Sequence, residues 1–273
     1  MPVNVKTCDS AAEAAAALSS DRGARFIAGG TLVMRALNEG DVAITTLVRL
    51  ADRSLGRFQT SGARILLGSE VTLAQILRAR DLAFLHPVVR SIGGPAVRAM
   101  GTVGGNLFAP SPFGDLTAAL LALDAAVSVQ SGYGARDMSM EEFLASRDRS
   151  PGALVLGLSF DRPASADAFR FRKVARVRPK GAAVLSIAAH LPGTGGRVSN
   201  ARIAYGAMAP TAIRAKAAER ALEGRVLDRQ VVSQAVAVAA EGTSPATDAI
   251  ASAWYRREVV GAHLRRLLLG LEA

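Results

Sequence analysis

The stretch Gly101–Asp124 reads GTVGGNLFAPSPFGDLTAALLALD and joins a glycine-rich turn to a segment without a charge between Asp115 and Asp124. A helix built only from Leu, Thr and Ala has no polar face to turn to water, so this one is expected to be buried. The turn before it carries Thr102 and Asn106 at its ends. Without side chains in the way, its backbone N–H groups can come close to an anionic or planar ligand. A cofactor-binding loop is therefore the first functional expectation.

Upstream lies a second glycine turn. Arg25-Phe26-Ile27-Ala28 reads as a short strand running into Gly29-Gly30-Thr31, followed by a helix over Leu32–Leu37 and a β-branched strand over Ile44–Leu50. Strand, glycine turn, helix and strand make an α/β unit. Ser10 caps a preceding alanine-rich helix over 10–19, and Thr72 caps another that runs to about Arg80. Beyond the opening stretch, strands are expected over 125–130 and 153–160, with a short helix over 140–145 between them. Pro163-Ala164-Ser165-Ala166 is a small-residue linker. After it, β-like segments at 168–177, 184–191 and 201–209 are spaced as an antiparallel meander, and helices follow over 212–222, 228–240 and from 248 to about 271. A sheet followed by helices points to an α+β second domain.

Composition narrows the function classes. A chain of 273 residues with 50% hydrophobic and 21% charged residues suits roughly two globular domains. The single cysteine, Cys8, leaves no intramolecular disulfide, no iron–sulfur cluster held by this chain alone and no cysteine zinc site. His86, His190 and His263 stand too far apart for a ligand motif. The net charge of +10 invites a nucleic-acid partner, but aromatics make up only 5% and no recognition motif accompanies them, so none is expected. An acidic partner protein or an arginine-rich proteome accounts for the charge. Apolar runs stop short of the ~20 residues that cross a bilayer, and no export signal opens the chain. Cytoplasmic placement is expected, with export alongside a partner left open.

Neither glycine turn is a GxGxxG fingerprint or a P-loop. Either one alone is common structural punctuation. Together, their amides are expected to clamp one diphosphate from two sides.

The combination Ala28-Gly29-Gly30-Thr31, Gly101-Thr102-Val103-Gly104-Gly105-Asn106, Gly114-Asp115-Leu116 and the Ala/Leu helix resembles the FAD-binding medium subunit of molybdenum hydroxylases, the family of xanthine dehydrogenase and carbon monoxide dehydrogenase. Phe171–Arg176 (FRKVAR), Tyr205–Thr211 (YGAMAPT) and Trp254-Tyr255-Arg256 extend the likeness over nearly the whole chain. The resemblance implies an α+β fold: a two-lobed FAD-binding domain of the vanillyl-alcohol-oxidase (PCMH) type over residues 1–163, with lobes of about 1–57 and 58–163. A C-terminal flavoprotein domain over 164–273, a three-stranded antiparallel sheet with a helical bundle, would follow.

The resemblance also implies a cofactor site. Ile27, Ala28, Gly29, Gly30, Thr31, Leu32, Val33 and Met34 would line one side of FAD, and Thr102, Gly104, Gly105, Asn106 and Phe108 the other. Gly114 and Asp115 would contribute a hydrogen-bond acceptor for a hydroxyl or ribose, with Leu156 and Lys173, or Arg172 one position earlier, beside the isoalloxazine ring. Plainer roles stay open: Asp115 as a helix N-cap, Leu156 as core, Lys173 as a solvated strand residue. Thr31-Leu32 stands where many relatives carry Gln-Ser or His-Ser, and the loop Val177–Gly181 is basic. No catalytic acid–base pair or nucleophile is visible, so the chemistry is expected to be the cofactor's. A molybdenum cofactor in a large partner and [2Fe–2S] clusters in a small partner would complete the complex, as a dimer of heterotrimers. A free-standing FAD oxidoreductase and a flavin-free scaffold are the alternatives.

Overall fold

A computed structural model describes residues 2–149, 152–177, 180–194 and 196–271, so Arg178 and Pro179 of the basic loop lie outside the described residues. The chain forms two compact units. The first is Met1–Arg80, Gly94–Ala109 and Ala125–Phe160; the second is Asp81–Gly93, Pro110–Asp124 and Asp161–Ala273.

The first unit holds two sheets. In the smaller one, the strand Thr46–Leu50 lies between Asn4–Cys8 and Ala24–Phe26, all parallel. Helix Ala11–Ser20 covers it. Ser10 starts that helix by accepting from the Glu13 amide at 3.2 Å, and Ala14, Ala15, Ala17 and Leu18 pack with Cys8, Val48 and Leu50. The larger sheet has the order Phe58–Ser61, Arg64–Gly68, Leu154–Asp161, Ala126–Ser131, Gly134–Ser139. In Arg64–Gly68, buried Ile65 and Leu67 alternate with exposed Arg64 and Leu66, the period expected of a strand with one wet face.

In the second unit, Ile213–Arg214, Arg202–Gly206, Ala183–His190 and Phe169–Ala175 form an antiparallel sheet in that order. It is buried on both sides. Leu185, Ile187, Ile203 and Tyr205 face a core completed by Leu222, Val232, Val260 and Leu264 of the C-terminal helices. The opposite face meets helix Asp115–Ala122, every residue of which is buried, as its uncharged sequence requires. On that face Gly206 leaves room for the Ser186 side chain: a Cβ at 206 would sit 2.3 Å from Ser186 Oγ, and only in ordinary contact, at 3.8 Å, with the Ala118 methyl.

Three expectations shift. The expected meander gains a two-residue strand, Ile213–Arg214, where a helix was expected from 212; the helix begins at Lys216. The last helix starts at Ala253 behind the Ser252 cap rather than at 248. Asp248 has another task. Arg256, 1% exposed, sends its guanidinium to both Asp248 oxygens (3.0 and 2.9 Å) and to the carbonyls of Val184 and Ala251 (2.9 and 3.1 Å). A cation that deep must find acceptors for each donor, and it pins the 246–251 loop in doing so.

Helix Asp115–Ala122 is tied to the sheet by an ion pair. Lys173 Nζ lies 2.6 Å from Asp115 Oδ2 and also donates to the Ser91 carbonyl at 3.0 Å. The two side chains are only 9% and 5% exposed. Burial pushes the Asp115 carboxyl above its usual range, against the pull of Lys173. Ser186, level with Lys173 and Gly206 across the sheet, lies near the same carboxylate, its hydroxyl buried without an aligned hydrogen-bond partner. Removing one partner leaves a buried charge alone, whereas removing both replaces the pair with apolar volume. Asp115→Leu is therefore expected to lower stability by about 3 kcal/mol, and Asp115→Leu with Lys173→Met to recover most of that loss. Thermal unfolding of the two variants checks this; equal losses in both would contradict it.

Candidate functional site

The first unit brings the two glycine turns together. A Cβ on Gly29 would lie 1.7 Å from the Met100 carbonyl oxygen, so only glycine lets the turns meet. Gly101 completes the contact, with the position of its absent Cβ 3.6 Å from Thr31 Oγ1. Gly30 has φ +71°, a conformation glycine adopts without steric cost.

The second turn is used differently from the sequence expectation. It is the start of a five-residue helix, Val103–Leu107, capped by Thr102, whose hydroxyl accepts from Gly105 N at 3.1 Å. Val103 N donates to Val71 O (2.9 Å), Gly104 N to Ser69 O (2.7 Å) and Asn106 N to Thr102 O (3.0 Å). These amides hold the turn rather than face a ligand. Gly104 is buried, and a Cβ on it would come within 2.8 Å of Ser69 Cβ. Gly105 differs. It is exposed, and a Cβ there would meet only Thr102 Oγ1, at 3.1 Å.

The free donors belong to the first turn. Ile27 N is bonded to Val48 O (2.8 Å) and Met34 N to Gly30 O (2.9 Å), but between them the amides of Ala28–Val33 find no acceptor among the described residues. A run of such N–H groups on consecutive residues is an anion-binding concavity. Apolar side chains are exposed in the same unit: Leu32, Met34, Met100 and Phe108, the last with its ring edge-on to Phe143 at 5.7 Å.

Asp115 and Lys173 belong to the second unit, where their charged ends are paired inside. Asp115 Oδ1 is buried without an aligned partner, so the carboxylate presents no acceptor at the surface. The helix N-cap is Gly114, at φ +95°, with Asp115 as the first helical residue. The Lys173 ammonium is likewise turned inward, and Arg172 donates to His263 Nδ1 at 3.3 Å. Leu156 is half-buried beside the Ala11–Ser20 core, and its carbonyl accepts from Ser69 N at 3.0 Å. Sequence reading missed Ser69, Val71 and Arg147, which act on the second turn. The Thr72 cap and Gly68 were the available hints at the first two. Among the described residues no group of His, Cys, Asp and Glu is placed to hold a metal.

Comparison with known proteins shows the family. Residues 2–160 match the family model described as the FAD binding domain in molybdopterin dehydrogenase, and 170–271 that of the CO dehydrogenase flavoprotein C-terminal domain. The chain is 29% identical over 251 residues to the carbon monoxide dehydrogenase medium chain of Afipia carboxidovorans, covering 89% of this chain and 87% of that one. It is 25% identical to the xanthine dehydrogenase FAD-binding subunit of Escherichia coli O157:H7, over 94% of this chain and 91% of that one. A solved structure of reconstituted CO dehydrogenase from Oligotropha carboxidovorans superposes with a TM-score of 0.87 at 27% identity, over 98% of this chain and 97% of that one. This chain belongs to the FAD-binding medium subunits of the molybdenum hydroxylases.

Proposed function

We propose that this chain is the electron-relay subunit of a heterotrimeric molybdenum hydroxylase, assembled as a dimer of heterotrimers in the cytoplasm. It would take electrons from [2Fe–2S] clusters of a small partner and deliver them to NAD+, a quinone, dioxygen or another acceptor. The large partner would hold the molybdenum cofactor and the substrate. FAD, when bound, supplies the redox chemistry. Residues 1–163 would be the cofactor module and 164–273 the C-terminal flavoprotein module, a division that the two family matches support.

The observation that carries the reading is the run of unpartnered amides at Ala28–Val33 beside the meeting point with Met100 and Gly101. These amides fit the diphosphate. Backbone donors fixed by the fold lose little entropy when an anion arrives, and bonds to a charged acceptor are the strong ones. Gly105, exposed and without a Cβ, leaves room for the same group, and Thr31 and Asn106 add polar side chains. Leu32, Met34 and Phe108 offer apolar surface for ring systems. Asp115, Lys173 and Leu156 serve through the packing of their own units.

Gly105→Val is expected to give folded protein without FAD, because the new side chain fills the approach while touching only Thr102. Gly29→Ala is expected to fail differently, losing the fold of the turn itself, since its methyl would overlap the Met100 carbonyl. Flavin absorption and circular dichroism of both variants check this; normal FAD content in Gly105→Val would count against the site. Purification from native cells is expected to recover two further chains, one bearing iron and sulfide. Turnover of an organic substrate by this chain alone would favour the free-standing enzyme.

A further inference from the structure

The helix Val103–Leu107 is too short to be stable by itself. Its first turn is bonded to Ser69, Val71 and Thr102. Its far end is held by a different part of the first unit. Helix Met140–Ser146, started by the Ser139/Glu142 capping box, runs directly into the turn Arg147–Arg149. From it, Phe143 packs against Phe108, the residue that follows the short helix. Arg147 Nη1 donates to the carbonyl of Leu107, the last residue of that helix.

The Arg147 side chain is 6% exposed, and its Nε lies 3.4 Å from Asp148 Oδ1, without hydrogen-bond alignment. A guanidinium kept this far from water for one helix-end carbonyl is costly unless its position matters. A cation there also complements the negative end of the helix. Leu107 lies on the same short helix as Gly104 and Gly105, so a tilt at one end moves the other.

We propose that Arg147 is a positioning residue for the flavin site, holding the Thr102–Leu107 helix by its C-terminal carbonyl so that Gly105 keeps its place on the turn whose Met100 and Gly101 meet the Ala28–Val33 turn. The inference rests on the FAD reading above. Arg147 touches no cofactor in this account; it acts through the helix.

The test uses the full-length apo chain and FAD, with affinity read from quenching of flavin fluorescence and the fold read from the apo melting temperature. Hydrogen exchange at the amides of Gly104 and Gly105, set against exchange in helix Ala11–Ser20, separates a local effect from a change in general stability. Arg147→Gln is expected to weaken FAD binding about tenfold, the equivalent of one hydrogen bond to a charged group. Exchange at Gly104 and Gly105 should quicken while exchange in helix Ala11–Ser20 stays unchanged. Arg147→Lys, which keeps the charge and a single donor, should fall between wild type and Arg147→Gln in both readouts. If Arg147→Gln does not fold, Arg147→Lys decides: weaker FAD binding at an unchanged apo melting temperature supports the inference, and wild-type affinity overturns it. Wild-type affinity and exchange in a folded Arg147→Gln overturn it too, as does a loss of affinity matched by quickened exchange throughout the unit. Failure of the wild-type chain to bind FAD would overturn the FAD reading and this inference together, a result distinct from all the others.

Discussion

The short antiparallel pairing between Ser69–Leu73 and Gly101–Gly104 is the constraint on which the cofactor face depends. Leu73 N reaches Gly101 O, Val103 N reaches Val71 O and Gly104 N reaches Ser69 O. Each bond contributes only about 1 kcal/mol net, but three in succession leave a glycine-rich segment one conformation. Gly104 must lack a side chain for the strands to approach, because Ser69 occupies the space. Once Gly101 is fixed, the Met100 carbonyl is fixed with it, and that carbonyl is the surface against which Gly29 packs. The conformation of the first turn is thus inherited from the second. Their amides divide accordingly: those of the Thr102–Asn106 turn are spent on rigidity, and those of the Ala28–Val33 turn have no acceptor among the described residues.

The second unit solves a related problem with charge. A helix as apolar as Asp115–Ala122 can slide on an apolar sheet with little change in energy, since the hydrophobic effect is non-directional. A buried ion pair has one best register. Lys173 joins the first residue of the helix to the Phe169–Ala175 strand and, through Ser91, to the end of helix His86–Arg90. Gly206 and Ser186 share the same row of the sheet as Lys173, the glycine leaving room for the serine side chain. Arg256 plays a similar part on the opposite face, fastening the loop before the last helix to Val184.

What could be read from the sequence was local chemistry with a short range. Ser10 and Thr72 precede helices and do cap them, because a cap is decided within three residues. The two glycine turns do meet, and the uncharged helix is buried. Strands Asn4–Cys8 and Gly134–Ser139 escaped because they are mostly exposed edges, where no apolar alternation is needed. The fate of the TVGGN amides also escaped, since Ser69 and Val71 supply carbonyls, which every residue carries and no motif marks. The Asp115–Lys173 pair spans 58 positions of sequence. A single aspartate before an apolar helix reads equally as a cap, a ligand contact or half of an ion pair, and only the fold chooses among them.

Backbone amides in place of lysine or arginine side chains at the Ala28–Val33 turn have a physical consequence for the proposed diphosphate site. A cationic side chain brought against a diphosphate must first shed its own hydration and lose rotamer freedom. Amides on consecutive residues do neither, because the fold has already fixed them, and their partial charges are spread along the turn. With 33 lysines and arginines in the chain, cations were available; the described turn nonetheless contains none between Ile27 and Met34. An anion bound at the proposed site would be held by geometry instead of by net charge. Such a grip is little screened by salt, which acts chiefly between exposed formal charges. It also leaves the surrounding basic residues free to set the field felt by an acidic partner without altering how the cofactor is held.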